Sequence, residues 1–415
     1  MKATMLKFIM YLQDSELVAS FQRKCGLFAI EIEHQCSDET KLVRDIKNPP
    51  DDRLTAKQRG NGNLKEQLIG SETHDSNSNY KYETTGHNVD GAYWPRYQVR
   101  NMLFYYLFLL SAGLGQEVFY ITFLPCIHWN LDPFLCRRLV NMWTVVMYIG
   151  QVMKDMLKMS RPLAPPVVKL ETRVDAEYGM PSTHAMAATA ISFTLLLSAA
   201  HRFQFWFEAG LLVAIVLSAL VCLSRLYTGM HSALDVICGV LISGMLMLVT
   251  YPSWETFDQL QLTSPLSPIV AVVLPLFLSY SYPELDHYST TRGDTTIILG
   301  VGSGCWVGYW VNQQLGETFE PQGEFPLPLP ALTAPALARG SARFLVGVAL
   351  LLSTRQVVRT LSLWMLCTWH QVSADDTQAH RRKEIEVPYK FATYAAVGLV
   401  NTTLLNKVFV LLGLS

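Results

Sequence analysis

Between Met102 and Leu414 apolar runs follow one another with few interruptions, and this succession limits the fold more than any other feature of the 415-residue chain. The runs lie near Met102–Leu124, Leu139–Leu157, Ala185–Ala200, Phe205–Leu223, Leu234–Val249, Ile269–Ser281, Thr295–Val311, Phe344–Trp369 and Phe391–Leu414. Hydrocarbon offers the backbone no hydrogen-bond partners, so runs of about 20 apolar residues cross it as helices. The eighth run carries Arg355 and Arg359, so a break or a partly interfacial course is expected there. The pattern predicts an all-α, polytopic transmembrane bundle of about eight to ten spans.

Composition points the same way. Half of the residues are hydrophobic and 16% are charged, where a soluble domain carries about 25% charged residues. Mean hydropathy is +0.21. A net charge of -1 gives no electrostatic basis for binding nucleic acid. The eight cysteines lack paired spacing, and Cys222, Cys238 and Cys305 sit in apolar runs as packing residues.

The first hundred residues read differently. From about Asp38 to Tyr93 the chain mixes Asn, Ser, Asp, Lys and Gly with few aliphatics, too little apolar surface to fold alone. Leu17–Ile32 holds the pattern of a short surface helix, and Met1–Met10 is too short for a signal peptide. Three regions are therefore expected: a polar, largely disordered tail over 1–100, a five-span transmembrane core over 101–250, and C-terminal transmembrane helices over 251–415.

Three polar clusters interrupt the first five spans. The first is "KDMLKMSRP", where Lys154 and Arg161 are seven residues apart and share a helical face if the helix runs to Pro162. The second is "PSTH", Pro181 to His184, where Pro181 suits a helix start and Ser182 or Thr183 a cap. Amides at such a start favour phosphate. The third is "SRLYTGMHSALD", Ser224 to Asp235, in which His231 and Asp235 are four apart and Arg225 offers a fork for phosphate oxygens. Each cluster alone reads as flanking charge, a cap or a polar pair. Counting crossings changes this, because the connections after spans two and four lie on the same side. All three clusters then meet at one membrane face, where ionisable residues are functional by default.

Lys154-x6-Arg161-Pro162, Pro181-Ser182-x-His184 and Ser224-Arg225-x5-His231-x3-Asp235 resemble the three-part signature of the type 2 phosphatidic acid phosphatase superfamily. That group includes lipid phosphate phosphatases, glucose-6-phosphatase and vanadium haloperoxidases. "WNLDP", "SRPLAPPVVKLE", "EYGMPSTHAM" and "STTRGDT" extend the resemblance to the sphingosine-1-phosphate phosphatases of the endoplasmic reticulum. Thr183, where many superfamily members have glycine, is similar to that narrower group.

The resemblance implies hydrolysis of a lipid phosphomonoester through a phosphohistidine. His231 is then the nucleophile, Asp235 orients it, and His184 is the general acid and base. Lys154, Arg161, Ser182, Thr183 and Arg225 would hold the phosphoryl oxygens. His184, His231 and Asp235 could also ligate a metal, but three cations in the same site repel a divalent ion. A metal-independent enzyme without cofactor is expected, with a sphingoid base phosphate and the membrane as its partners.

A sphingoid base phosphate carries an ammonium beside its phosphate, so a nearby carboxylate is expected. Glu177 is the first candidate, Asp175 the second and Glu117 the third; the alternative for Glu177 is a pair with Arg173. Arg137, Arg138 and Arg202 favour a cytosolic side for the connections opposite the clusters, which makes the site luminal. Lys158 and Lys169 on the active side count against that orientation. Two other functions fit the scaffold: a phosphatase of another lipid phosphate such as lysophosphatidate, and a transporter or lipid-binding protein with a degenerate site.

Overall fold

The computed structural model describes residues 2–30, 97–171, 177–285, 288–331, 333–373 and 376–414. The polar stretch expected to be disordered falls outside them.

The described chain is helical throughout, apart from two strand pairs. Helices α1 (Lys2–Gln13) and α2 (Ser15–Lys24) lead to β1 (Leu27–Ala29), which pairs antiparallel with β2 (Tyr97–Val99). Then come α3 (Met102–Gly113), α4 (Glu117–Asn130), α5 (Pro133–Leu157) and α6 (Thr183–Ala199). A short β3 (Phe203–Gln204) precedes α7 (Phe207–Tyr227), α8 (Ala233–Thr250), α9 (Trp254–Thr263), α10 (Ser267–Tyr280) and α11 (Thr291–Leu315). β4 (Leu327–Pro328) runs parallel to β3, and α12 (Ala334–Trp369), α13 (Lys383–Thr402) and α14 (Leu404–Leu411) complete the chain.

Each of the nine apolar runs falls on helix, yet only four described helical segments are long and apolar enough to cross a membrane by themselves, or five if a bent pair is one span. Those four are Phe207–Tyr227, Ala233–Thr263, Ala334–Trp369 and Lys383–Leu411. The difference from the expected eight to ten has a physical cause. α5 carries Arg137, Arg138, Lys154 and Asp155 on its buried face, so inward polarity lowers its hydropathy. Thr183–Ala199 and Ser267–Tyr280 are apolar but short.

Two runs depart from their expected course. The first is a pair of helices, α3 and α4, bent by 64° at a break near Gly115. The eighth, expected to break, is one continuous helix of 36 residues in which Arg355 Nε donates to Tyr394 Oη at 3.1 Å.

α5 stands at the centre. With α4, α6 and α11 it buries Tyr120, Leu124, Leu139, Trp143, Ile191, Ile298 and Tyr309 in one cluster. With α6 and α8 it buries Met142, Val146, Met186, Ala190 and Met247. The opposite faces of α7 and α8 stay apolar and exposed, with Leu212 at 63%, Leu241 at 66% and Leu248 at 77%. Lipid is as apolar as these side chains, so helix association rests on close packing and hydrogen bonds. α11 and α13 show how close: a Cβ on Gly304 would collide with the Ala395 carbonyl, and one on Gly308 with Thr402 Oγ1.

Against the expectation of a tail over 1–100, α2 belongs to the core. Val18 and Ala19 of α2 pack on Val167. Gln22, 1% exposed, donates to the carbonyls of Val168 at 2.7 Å and Tyr227 at 2.8 Å, and accepts from the Val168 amide at 2.9 Å. One glutamine therefore ties the loop after α5 to the end of α7. The start of α5 is equally determined: Asp132 caps it through the Phe134 amide at 2.9 Å, with Pro133 in its first turn.

Candidate active site

The site forms where α5 ends, α6 and α8 begin and α7 ends. α5 stops at Leu157, because Lys158 takes a left-handed conformation (φ 50°). Arg161 therefore lies in an extended loop, and the expected shared helical face with Lys154 does not exist. Glu177 brings the two cations together instead. Its Oε2 lies 3.3 Å from Lys154 Nζ and 3.6 Å from Arg161 Nη2. Arg161 is aimed by two carbonyls, donating from Nε to Glu177 at 2.9 Å and from Nη1 to Met230 at 3.0 Å.

Ser182 caps α6, its Oγ accepting from the Ala185 amide at 3.4 Å. Its own amide donates to the Asp235 carbonyl at 3.1 Å, which staples the start of α6 to the first turn of α8. The positive end of α6 thus opens on the site. Thr183 Oγ1 takes a second proton of Lys154 at 3.4 Å. His184 follows, within electrostatic reach of Arg225, His231, Lys154 and Arg161. A Cβ on Gly115 would stand 2.9 Å from His184 Cδ2, so the break between α3 and α4 packs directly against this ring.

Arg225, 1% exposed in the last turn of α7, gives both terminal nitrogens to the carboxylate of Glu171, at 3.1 Å and 3.4 Å. His231, also 1% exposed, sits in the connection between α7 and α8. It is not on the helix with Asp235, as expected, but precedes the cap. Ser232 and Asp235 form a capping box, Asp235 Oδ2 accepting from the Ser232 amide at 2.7 Å. The same oxygen lies 3.8 Å from His231 Nδ1, an electrostatic contact longer than a hydrogen bond. Gly179 closes over this pair, and a Cβ there would meet Asp235 Oδ2 and the Ser160 carbonyl, each at 3.2 Å.

Burial, then the cations Arg161, Lys154 and Arg225, hold the His231 imidazole well below its ordinary value, opposed by a hydrogen bond with the Gly179 backbone. Its ring is neutral at pH 7, and a neutral imidazole has a lone pair to offer. Three cations and two imidazoles around one point are an arrangement chemically able to hold a phosphoryl group beside a neutral imidazole.

The PAP2 superfamily model matches residues 136–258, which contain all three clusters. Sphingosine-1-phosphate phosphatase 2 of Homo sapiens is 48% identical over 99% of this chain and 100% of its own length. The chain belongs to the sphingosine-1-phosphate phosphatase family. Sphingosine-1-phosphate phosphatase 1 of Mus musculus is 36% identical over 97% of both chains. Lipid phosphate phosphatase delta of Arabidopsis thaliana is 26% identical over 61% of this chain and 63% of its own. No solved structure matches significantly.

Within this family member the structure assembles Lys154, Arg161, Ser182, Thr183, His184, Arg225, His231 and Asp235 in one place. The ammonium candidates fare differently. Glu177 is at the site, bound to Lys154 and Arg161. Asp175 and Arg173 lie outside the described residues, as does the side chain of Glu117, the first residue of α4. Sequence reasoning missed Glu171, which stands in the "VVKLE" stretch with no spacing that announces its partner. It also missed Asp155. Asp155 Oδ2 accepts from Tyr282 Oη at 2.7 Å and Thr291 Oγ1 at 2.6 Å, tying the catalytic end of α5 to α11 and the "STTRGDT" stretch.

Proposed function

We propose that this chain is an integral membrane phosphatase that hydrolyses sphingosine 1-phosphate and related sphingoid base phosphates through a phosphohistidine, without a metal. The observation that carries the reading is a buried, neutral His231 set between Asp235 and three cations. Nδ1 faces the carboxylate, so Nε2 is the attacking nitrogen. As the N–P bond forms, the P–O bond to the lipid breaks, and His184, protonated once the negative charge of the phosphate has entered the site, gives that proton to the departing alkoxide. His184 then takes a proton from water, whose oxygen attacks phosphorus and releases His231. Lys154, Arg161, Arg225, Ser182 and Thr183 hold the phosphoryl oxygens while charge moves from the attacking to the leaving side. Asp235 favours the positive charge that His231 carries in the intermediate.

The same reading places the enzyme in the endoplasmic reticulum membrane with its active face toward the lumen, supported by the family resemblance. Arg137, Arg138 and Arg202 no longer support that orientation, since each is buried and paired with a carboxylate.

The test is phosphate release from sphingosine 1-phosphate by purified protein in EDTA, with acid quench to trap a phosphoenzyme. His231→Ala is expected to lose the phosphoenzyme and at least about a thousandfold in rate. Turnover that needs added magnesium, or labelling that survives the substitution, would refute the mechanism.

A further inference from the structure

Arg225 presents a two-pronged fork at its terminal nitrogens, and Glu171 holds both prongs. A carboxylate and a phosphoryl face present the same pair of oxygens to a guanidinium, so they compete for one place. Arg225 has little else to offer, because Nε points to its neighbour Ser224 Oγ at 3.5 Å. A phosphoryl group that takes this fork therefore displaces Glu171 from Arg225. Glu177 has no such obligation. It meets Lys154 and Arg161 through one oxygen at 3.3 Å and 3.6 Å, and its backbone carbonyl separately anchors Arg161.

Charge then decides where Glu171 goes. Among the described residues the site holds three cations, Lys154, Arg161 and Arg225, against three carboxylates, Glu171, Glu177 and Asp235. A phosphomonoester adds about −1.5 to −2 at pH 7, so a phosphate without its own cation leaves the pocket negative. The Glu171 side chain is 22% exposed, too little for water to replace its lost partner in full. A sphingoid base phosphate brings an ammonium on the carbon beside the phosphorylated one. A glycerol lysophospholipid has no charge there.

We infer that Glu171 selects the substrate: it occupies the Arg225 fork in the empty site and transfers to the substrate's ammonium when phosphate takes that fork. The inference rests on the proposed sphingoid base phosphatase activity and replaces Glu177 with Glu171 as the ammonium partner. Glu177 remains the residue that positions Lys154 and Arg161.

The test compares sphinganine 1-phosphate with its N-acetyl derivative, which keeps chain and phosphate but loses the ammonium. Glu171→Gln is expected to lower kcat/KM for sphinganine 1-phosphate about tenfold or more, the scale of one charge-assisted hydrogen bond. Efficiency on the N-acetyl compound is expected to hold or rise, so the preference for the ammonium collapses. Inorganic phosphate should inhibit the variant more tightly than the wild type, since its fork is no longer occupied. Glu171→Asp keeps the charge and should retain part of the preference, which covers the case that the Gln variant does not fold. Equal losses on both compounds, with phosphate inhibition unchanged, would make Glu171 a mere support for Arg225 and overturn the inference. A wild type that releases phosphate from neither compound would instead refute the phosphatase reading on which it stands.

Discussion

Helix α5 carries a buried ion cluster near each end, built from equal charges and held in different ways. At its start Arg137, Arg138 and the nearby Arg202 face Asp132, Asp258 and Glu320. At its end Lys154, with Arg161 and Arg225, faces Glu171, Glu177 and Asp235. Arg138 and Lys154 are sixteen residues apart, about 24 Å along a helix, close to the thickness of a bilayer core. The first cluster is locked. Arg202 Nε reaches Asp132 at 2.6 Å, Arg138 Nε reaches Asp258 at 2.7 Å, and all three guanidinium groups lie over the Phe134 ring at 4.4 to 5.3 Å. The second is looser. Its ion pairs span 3.1 to 3.6 Å, none as short as those of Arg202 and Arg138. Equal charge can thus build a strut at one face and a receptor at the other.

Breaking the strut should cost folding. Arg202→Ala leaves Asp132, fully buried, without its cation, a loss of about 3–5 kcal/mol. The expected outcome is a large fall in thermal stability or yield, with kcat/KM per folded molecule unchanged. A variant that is stable but slow would make the two clusters one functional unit.

Changing the receptor should cost rate with little loss of stability. Arg225→Lys keeps the charge but loses the fork, and kcat/KM should fall about 10- to 100-fold, while the melting temperature stays near that of the wild type. Near-normal efficiency would show that phosphate does not use both nitrogens.

The smallest effect expected is on pH. His231 sits below its ordinary value because of burial and three cations, so it stays neutral at pH 7. Protonation removes the lone pair of the proposed nucleophile, so kcat/KM should decline only as pH falls through that lowered value. Removing one cation by Arg161→Gln lifts the value, and the acid limb of the profile should move to higher pH. An unmoved limb would assign that limb to another group.

Much of the site was legible because its parts are local. Ser182 as a cap and Asp132-Pro133 as a helix start follow from two or three adjacent residues. The shared membrane face followed from counting crossings. Reasoning by helical face failed where a helix stopped early: Lys158 ends α5 before Arg161, and His231 lies ahead of the α8 cap. Counting loop charges meets the same difficulty. Charge counting treats an arginine as solvent-facing, whereas Arg137, Arg138 and Arg202 have carboxylates beside them that sequence spacing hides.

By itself the sequence determined that this chain is a helical membrane protein and which family it joins, and it named the side chains proposed to react. Apolar length, motif order and capping are properties of contiguous residues, and no fold is needed to read them. Only the tertiary structure decided the pairing. Glu171 meets Arg225 across 54 residues and Gln22 joins Val168 to Tyr227 across 146 and 205. Such contacts depend on the path of irregular loops. A loop has no period to project its side chains, so its partners are set by what the packed helices leave within reach.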